Sequence, residues 1–388
     1  MQAVADAPEG ARLGAGRVLR SASVSAIEAD PAAALMRVLG PGPFALVLIF
    51  AAPRAPMAAL AAAAAAWPGA RAVIGCTTAG EITGAGYAED EIVGIGLPAE
   101  LFEAEVMAIP DLDRVGAPEM LRQLAETRAR VEGRRPNWTS EFAMLLVDGL
   151  SRREDALAAA LSAGIGRVPL FGGSAGDGED FGETRVLIDG AWHRGAAVLA
   201  FVRTACRAAV FNLDHFDPTE ERMIVTQADP EARLVRRLNG EPAAREYARV
   251  LGLDRSQLSA FTFAAHPLVV RIGGRHHVRA IQRVTEAGEL VFYAAIDEGM
   301  VLSLAEPRDI AQHLDASFEA MAREDGPPDA ILAFDCILRR LEATEKQMGG
   351  RMSAVLRKHG IVGFSTYGEQ LNGLHVNQTM TGVALRRP

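Results

Sequence analysis

Cysteine and lysine are both scarce in this sequence. Its 388 residues include three cysteines, Cys76, Cys206 and Cys336, with no CxxC or CxxCH spacing among them. An odd and widely spaced set of this kind excludes a disulfide framework, a zinc knuckle and covalent c-type haem, and it favours a reducing cytoplasm. Lysine occurs only at Lys346 and Lys358, so the other 38 of the 40 basic residues are arginine. Coding bias in the source genome explains this excess as well as anion recognition does.

Long apolar runs and basic clusters are also missing. The most apolar stretch, 58–67, falls short of the roughly 18 to 20 residues that span a bilayer, and the N-terminus lacks the pattern of a signal peptide. The net charge is −9 and the basic residues are spread along the chain, which argues against nucleic acid or an anionic membrane as partner. We therefore expect a small ligand or a protein partner.

The remaining composition is that of an ordinary folded protein. Hydrophobic residues make up 49% of the sequence and charged residues 23%, values that exclude intrinsic disorder and fibrous repeats. A chain of 388 residues is long enough for two domains, each with a full hydrophobic core.

An internal repeat organises the chain. Shifting the sequence by 288 residues aligns IGCTTAGE at 74–81 with VGFSTYGE at 362–369 without a gap. The stretch LFGGSAGD at 170–177 has the same form, an apolar strand followed by glycines, a hydroxyl residue and an acid, and we interpret it as a third, degenerate copy. The identical pairs are Gly75/Gly363, Thr78/Thr366, Gly80/Gly368, Glu81/Glu369, Gly94/Gly382 and Leu97/Leu385.

Each copy of the motif is preceded by the same elements, a strand, a helix and a second strand. The strands are apolar at every position, as expected for strands buried on both faces, and each unit has about the length of one βαβ crossover. Hairpin or alternating segments come next, including a two-residue turn at Asp189-Gly190. The sequence therefore predicts a mixed α/β fold, with parallel and antiparallel sheets covered by helices and repeated βαβ-hairpin units. The predicted helices of the three crossovers are 57–67, 153–163 and 341–358.

These motifs resemble those of the FIST family of bacterial sensory domains. The likeness rests on both motif copies, on PLFGGSAGD at 169–177, on GEPAAREYARVLG at 240–252 and, most specifically, on GFSTYGEQLNGLHVNQT at 363–379. It covers nearly the whole chain and implies a FIST N-terminal domain at 40–205, after an extension at 1–39, and a FIST C-terminal domain at 206–388. It also implies a small-ligand sensor in intracellular signal transduction.

One branch of that family is the most similar. Its stand-alone members are reported to bind haem and sense nitric oxide, and to report to histidine kinases or cyclic-di-GMP enzymes. The chain resembles this branch because its sequence shows no kinase, cyclase or methyl-accepting module and contains the run FDCILRR at 334–340. The resemblance thus implies b-type haem as cofactor, a gas ligand and a separate signalling partner. The alternative is a sensor of an amino-acid-like metabolite without haem.

The repeated motif supplies groups that suit a small zwitterion. Ligands of open parallel sheets collect beyond the carboxyl ends of the strands, where the motif lies. Its glycines let a backbone approach a ligand, its hydroxyls donate or accept, and its acids can take an ammonium group. A tight turn whose hydroxyls cap backbone groups would use the same residues. The predicted ligand-binding residues are Gly75, Thr77, Thr78, Glu81, Ser365, Thr366, Tyr367, Glu369, Asn372, His375 and Asn377.

A haem would need an apolar slot and an axial ligand, and no spacing singles out one of the eight histidines. His266 is the first candidate, because it precedes Pro267 and opens an apolar strand. His375 is the second, although it aligns with Tyr87 of the first copy, so both rings can equally be packing. The further alternatives are His276, His277, Cys76 and Cys336.

Catalysis is the hypothesis from another class. Cys76 or Ser365 beside an acid and a histidine would serve a hydrolase or transferase as nucleophile. The sequence nevertheless contains no GxSxG elbow, Walker A lysine, HExxH helix or dinucleotide GxGxxG. We therefore expect a binding protein and not an enzyme.

Overall fold

The computed structural model describes residues 12–14, 18–114 and 116–388. Three repeat units form the body of the molecule: the first unit (20–98), the second unit (102–204) and the third unit (207–386). An insert at 216–307 interrupts the third unit. The predicted extension at 1–39 lies partly outside the described residues, and its described part supplies the outer strand and first helix of the first unit.

The first and second units contain the same elements in the same order. Each has an outer strand, a helix, a βαβ crossover, a hairpin and a closing strand. The first unit follows the short strand β1 (Arg12–Gly14) and contains β2 (Arg20–Ser25), α1 (Pro31–Leu39), β3 (Phe44–Ala51), α2 (Met57–Ala65), β4 (Val73–Thr77), β5 (Glu81–Thr83), β6 (Gly86–Ala88) and β7 (Glu91–Pro98). The second unit contains β8 (Phe102–Ile109), α3 (Ala117–Arg134), β9 (Ser140–Val147), α4 (Glu154–Ile165), β10 (Leu170–Ser174), β11 (Val186–Ile188), β12 (Ala191–His193) and β13 (Ala197–Thr204).

The third unit repeats this order around the insert. Its outer strand is β14 (Arg207–Leu213). The insert contains β15 (Phe216–Asp229), β16 (Leu234–Leu238), β17 (Glu241–Pro242), α5 (Ala243–Leu251), a 3-10 turn (Arg255–Gln257), α6 (Ala260–Ala265), β18 (Leu268–Ile272), β19 (Arg275–Arg279), β20 (Ile281–Val284), β21 (Leu290–Phe292) and β22 (Val301–Pro307). The third unit then continues with α7 (Ile310–Asp325), β23 (Ala330–Cys336), α8 (Ile337–Glu345), α9 (Gly349–Lys358), β24 (Ile361–Thr366), β25 (Glu369–Leu371), β26 (Leu374–Val376) and β27 (Met380–Arg386).

Each unit contributes to two sheets, because its hairpin pairs with a neighbouring unit. The strand orders in the body are β2-β7-β3-β4-β11-β12, β8-β13-β9-β10-β25-β26 and β14-β27-β23-β24-β5-β6, with β1 beyond β2 in the first sheet. In every sheet the central parallel pair comes from one unit and the hairpin at the edge from another. This exchange locks the three units into one body with three-fold pseudo-symmetry.

A single apolar core fills the space between the three body sheets. The sequence of β3 shows why, since all eight of its residues are apolar and all are buried, one face toward the core and one toward the helices. Phe50, Phe171, Phe334 and Phe364 bring rings from all three sheets together, with the rings of Phe50 and Phe364 stacked at 4.4 Å. Helices α1 and α2, α3 and α4, and α7 and α9 cover the outer faces of the first, second and third sheet.

The first glycine of the motif is required by close strand packing. A Cβ atom on Gly75 of β4 would overlap the carbonyl oxygen of Ile49, and one on Gly363 of β24 would overlap that of Ala333. Both glycines stand opposite these residues in the parallel pairs of their units. Gly75, one of the predicted ligand-binding residues, therefore has a packing role in the structure.

The structure confirms the predicted mixed α/β class and corrects one helix. All three βαβ crossovers are present, and Asp189-Gly190 joins β11 and β12 with positive φ at both residues, 49° and 73°. The single helix predicted at 341–358 is wrong, because α8 ends at Glu345 and α9 begins at Gly349. Between them Gln347 has φ of 56°, a left-handed conformation that cannot continue a right-handed helix.

The insert is a β-rich domain with its own hydrophobic core. Tyr247, Phe263 and Phe292 are among the buried residues of that core, which is separate from the core of the body. The strands that enter and leave the insert, β15 and β22, pair with each other, and the amide of Arg308 donates to the carbonyl of His215 at 2.7 Å. The polypeptide thus connects insert and body through two adjacent strands.

Candidate functional site

The three copies of the motif meet at the carboxyl ends of their parallel strands. Since the three sheets surround one core, the turns after β4, β10 and β24 come together on one side of the body. Backbone hydrogen bonds join all three turns directly. They run from Ala79 N to Ser365 O at 2.9 Å, from Ser365 N to Gly80 O at 2.7 Å, from Gly176 N to Thr77 O at 3.0 Å and from Ser174 N to Gly368 O at 2.8 Å.

Glu81 lies among these three turns and forms hydrogen bonds within the first unit. Its carboxylate accepts hydrogen bonds from the hydroxyl of Thr78 and, at 3.2 Å, from the amide of Glu91 at the start of β7. Burial raises the pKa of Glu81 to about 7, although both hydrogen bonds act in the opposite direction. The carboxylate thus links the turn to the closing strand of the first unit.

Glu369 makes the same link in the third unit. It accepts hydrogen bonds from the hydroxyl of Thr366 at 2.5 Å, from the hydroxyl of Thr379 at 2.7 Å and from the amide of Thr379 at 3.2 Å. Complete burial raises the pKa of Glu369 to about 8. In both copies the hydroxyl and the acid of the motif are therefore bonded to each other, and the acid is also bonded to the closing part of its own unit.

Other predicted residues also hold the turns. The hydroxyl of Thr77 accepts from the amide of Arg185 at 3.0 Å, and the side-chain oxygen of Asn372 accepts from the amide of Leu170 at 3.2 Å. Ser365 is buried among the same three turns. These contacts match the tight connection that the sequence allowed as an alternative, and a ligand at these atoms stays a prediction.

Tyr367 marks the place where the motif faces open space. Its hydroxyl donates to the carboxylate of Asp177 and accepts from the amide of Phe181 at 3.2 Å. The ring of Phe181 stacks on the ring of Tyr367, with centroids 4.3 Å apart and planes 15° from parallel. Together the two rings form one wall of a cavity between body and insert.

This junction cavity has a volume of about 610 Å³, within the range typical of small-molecule sites. The body contributes the loop between β9 and α4, Phe181, Tyr367 and His375, and the insert contributes residues of β16, β20, β21 and their turns. The lining residues are Gly149, Leu150, Arg152, Glu154, Phe181, Ala232, Arg233, Leu234, Gln282, Arg283, Thr285, Glu289, Val291, Phe292, Tyr293, Tyr367 and His375.

His375 lies at the inner end of the junction cavity. Its ring is 3% exposed, its Nδ1 is 3.2 Å from Nε2 of Gln370, and burial lowers its pKa, so the imidazole is neutral at neutral pH. The ring also packs against Gly368, where a Cβ atom would lie 2.9 Å from His375 Nε2. Asn377 is fully buried beside it, and neither atom of its amide has a partner among the described residues.

The other predicted haem ligands lie elsewhere. His266 ends α6, its carbonyl accepts from the hydroxyl of Tyr247 at 2.6 Å, and its side chain is not among those that line the junction cavity. Burial raises the pKa of the Cys76 and Cys336 thiols, which disfavours the thiolate needed for a ligand or a nucleophile. In the described part of the chain, no group of three or more His, Cys, Asp or Glu could hold a metal ion.

A second, smaller cavity lies beside the first copy of the motif. It has a volume of about 350 Å³, and Gly80, Glu81, Asp177 and Arg340 contribute to its lining. Arg340 is already engaged there, since its Nη2 donates to the carbonyl of Ala88 at 2.8 Å. The bond between Asp177 and Tyr367 separates this cavity from the junction cavity.

A buried ionic network at the base of the insert was not predicted from the sequence. Arg339 Nε donates to Asp335 at 2.7 Å, and its Nη1 lies 3.0 Å from Nδ1 of His215, whose Nε2 is 2.9 Å from Glu342. Because a guanidinium only donates, His215 Nδ1 accepts and Nε2 carries the proton. Asp335 and Arg339 belong to the run 334–340, which thus helps to hold the connection between body and insert.

The family of the chain follows from its match to two domain models. The FIST N domain model matches residues 45–241, and the FIST C domain model matches residues 243–372. The chain belongs to the FIST family. FIST domains are generally sensory domains of signal transduction, and the predicted family and sensory role are confirmed at this level.

The two FIST matches meet within the insert. The sequence placed the boundary at 205/206, and the exact domain boundaries stay a prediction. A search of curated proteins found no match to the chain. None of the helices in the described residues combines the length and the apolar character needed to cross a membrane.

Proposed function

We propose that this FIST protein senses a small molecule that binds in the junction cavity between body and insert. The proposal rests on the residues that form the cavity walls, because they belong to the second unit, the third unit and the insert. A ligand there contacts the body and the insert at once. The cavity is also the place where Tyr367 and His375 of the most specific motif reach open space.

The connection between body and insert suits a signal that depends on occupancy. The chain joins them through β15 and β22, and across the cavity Arg233 of the insert reaches Glu154 of α4 at 2.6 Å. A ligand that contacts both walls favours one placement of the insert over others, because it binds that placement more tightly. The surface of the insert then reports occupancy to a partner. A histidine kinase or a cyclic-di-GMP enzyme as that partner stays a prediction.

The geometry favours a small polar metabolite over haem. An axial histidine needs an open ring nitrogen with room for a porphyrin around it. His375, the predicted ligand that lines the cavity, is 3% exposed, and its Nε2 edge packs against Gly368. In this arrangement the residues present do not fit a haem. An amino-acid-like metabolite suits the lining better, since polar and charged side chains alternate there with Phe181, Val291 and Phe292.

The proposal is tested by the small molecules that the protein retains. The protein is incubated with a protein-free cell extract, separated from unbound compounds and analysed by mass spectrometry. Ala232 lines the cavity, so Ala232→Trp should fill it, while Ala316→Trp places the same ring at an exposed position of α7. We expect a compound that wild type and Ala316→Trp retain and Ala232→Trp does not. Equal retention by all three proteins would refute the site.

A further inference from the structure

We infer that the ligand of the junction cavity is an organic carboxylate, and that Arg152 and Arg283 bind its carboxylate from opposite walls. The inference rests on the proposed function, because it names the chemical class of the molecule that the proposed site takes. It follows from which charges of the lining are already paired and which are free.

Both carboxylates of the lining have cationic partners. Glu154 is paired with Arg233 at 2.6 Å, and Glu289 is paired with Arg236 at 3.3 Å. Arg233 also reaches Asp155 at 3.2 Å, and Arg236 also reaches Asp229 at 3.5 Å, so each of these two cations already serves two carboxylates. Neither Arg233 nor Arg236 is therefore available to a ligand, and an anion in the cavity has to be bound by other arginines of the lining.

Two arginines of the lining remain free. Within residues 12–14, 18–114 and 116–388, the exposed side chains of Arg152 and Arg283 make neither a hydrogen bond nor an ion pair, and both line the cavity. Arg152 belongs to the body, in the loop before α4, and Arg283 lies on β20 of the insert. An anion between these two arginines would contact the body and the insert together, and a ligand that signals by fixing their relative placement needs such contacts.

A third guanidinium behind the cavity adds to the positive potential. Arg279 is 4% exposed, and no carboxylate of the described residues forms an ion pair with it. Its Nη1 donates only to the carbonyls of Val278 at 3.2 Å and His375 at 3.3 Å, and its Nε has no partner in the described structure. Asp155 and Asp297 act on Arg279 only from beyond ion-pair distance, so its burial stays unfavourable, and an anion in the adjacent cavity reduces that cost.

The rest of the lining indicates an organic anion and not a bare inorganic one. The planar fork of arginine pairs with a carboxylate through two parallel hydrogen bonds. The rings of Phe181 and Tyr367 and the side chains of Val291 and Phe292 provide apolar surface for a carbon skeleton. A small metabolite is the source of the carboxylate that this lining fits, and because the propionate groups of haem have the same chemistry, the experiment includes haem to separate the two sources.

Titration calorimetry with matched pairs of compounds tests the inference. Succinate and benzoate are compared with uncharged succinamide and benzamide, haem is compared with haem dimethyl ester, and inorganic phosphate is a further probe. We expect at least one carboxylate to bind with a stoichiometry of one, more weakly at high salt, and its uncharged counterpart not to bind. Binding of haem but not of its ester would identify the propionates as the source, whereas binding of succinate or benzoate would identify a metabolite.

Four arginine variants complete the test. Each of Arg152→Ala and Arg283→Ala should weaken binding about tenfold, the loss expected for one charge-assisted contact. Arg167→Ala in the body and Arg245→Ala in the insert remove exposed arginines outside the cavity lining and should leave binding within about twofold. Circular dichroism confirms that each variant is folded.

Three outcomes of the calorimetry would overturn the inference. They are equal binding of charged and uncharged counterparts, unchanged affinity in both Arg152→Ala and Arg283→Ala, and no binding of any carboxylate or haem at millimolar concentration. A neutral compound that wild type retains and Ala232→Trp loses would overturn the anion class while the site stands. Retention that Ala232→Trp does not change would instead refute the proposed function.

Discussion

Replacing Glu369 with glutamine should change how the stability of the fold depends on pH. Glu369 has an ordinary pKa of 4.5 in the unfolded chain and a pKa of about 8 in the fold, where burial favours the neutral carboxyl group. A group whose folded pKa is raised contributes stability that is fully present below pH 4.5 and is lost as the pH rises through about 8. The difference corresponds to a free energy on the order of 5 kcal/mol at full titration.

The free energy of unfolding in urea, measured across this pH range by circular dichroism, tests that reasoning. Wild type should lose stability as the pH rises from 4.5 to about 8, and Glu369→Gln should lose distinctly less, because its amide does not ionise. Glu81, with a pKa of about 7, acts in the same direction, so Glu81→Gln with Glu369→Gln should flatten the curve further. Glu345→Gln removes an exposed glutamate of α8 as a control. Parallel curves for wild type and Glu369→Gln would refute the reasoning.

Three further substitutions test other parts of the structure. Tyr367→Phe removes the hydroxyl that bonds Asp177 and should lower the free energy of unfolding in urea by about 2 kcal/mol, and no change would contradict the role of that bond. Gly363→Ala should lower the melting temperature strongly, because the added Cβ meets the carbonyl of Ala333 on the facing strand. Gly349→Ala places its Cβ in open space and should not lower it. Equal effects of the two substitutions would count against the close packing. His215→Ala removes the imidazole that links Arg339 and Glu342 of α8 to the start of the insert and should speed limited proteolysis between body and insert, so unchanged cleavage would argue against the network.

The body of the fold was largely predictable because its signals are local or repeated. Strands such as β3 are apolar at all positions, and this pattern marks them as doubly buried without any knowledge of their neighbours. The repeat at an interval of 288 residues gave the units, and the turn residues Asp189-Gly190 gave a hairpin. The exchange of hairpins between sheets was not predictable, since nothing in the three residues of β5 identifies the edge of β24 as their partner.

The motif residues were found from the sequence, but their roles depend on contacts that it does not reveal. Glu81 and Glu369 have the chemistry of ligand-binding acids, yet their partners are amides ten residues further along the chain, at Glu91 and Thr379. Tyr367 and His375 of the same motif line the junction cavity, because they lie on the side of the turn that faces the insert. One pattern therefore contains both structural and exposed positions, and only the fold separates them.

The insert side of the cavity carried no signal in the sequence. Arg233 in the turn before β16 and Arg283 on β20 lie about 130 and 80 residues before the motif at 363–379, and their local sequence marks them as ordinary exposed arginines. Arg152 sits in a loop of the second unit, about 210 residues before the motif. An excess of arginine that coding bias explains gives no reason to single out these three, so the charge of the site emerged only when the strands were brought together.

The central claim, that a small molecule binds between body and insert and fixes their relative placement, is tested most directly by a distance measurement. Spin labels at Arg167→Cys of the body and Arg245→Cys of the insert, both exposed positions, report that distance by pulsed electron resonance, because the native cysteines are buried and unreactive. Adding the protein-free extract should narrow or shift the distance distribution, and Ala232→Trp should abolish the change. Identical distributions with and without extract, in a protein that retains a compound from it, would show that the ligand does not fix the placement of the insert.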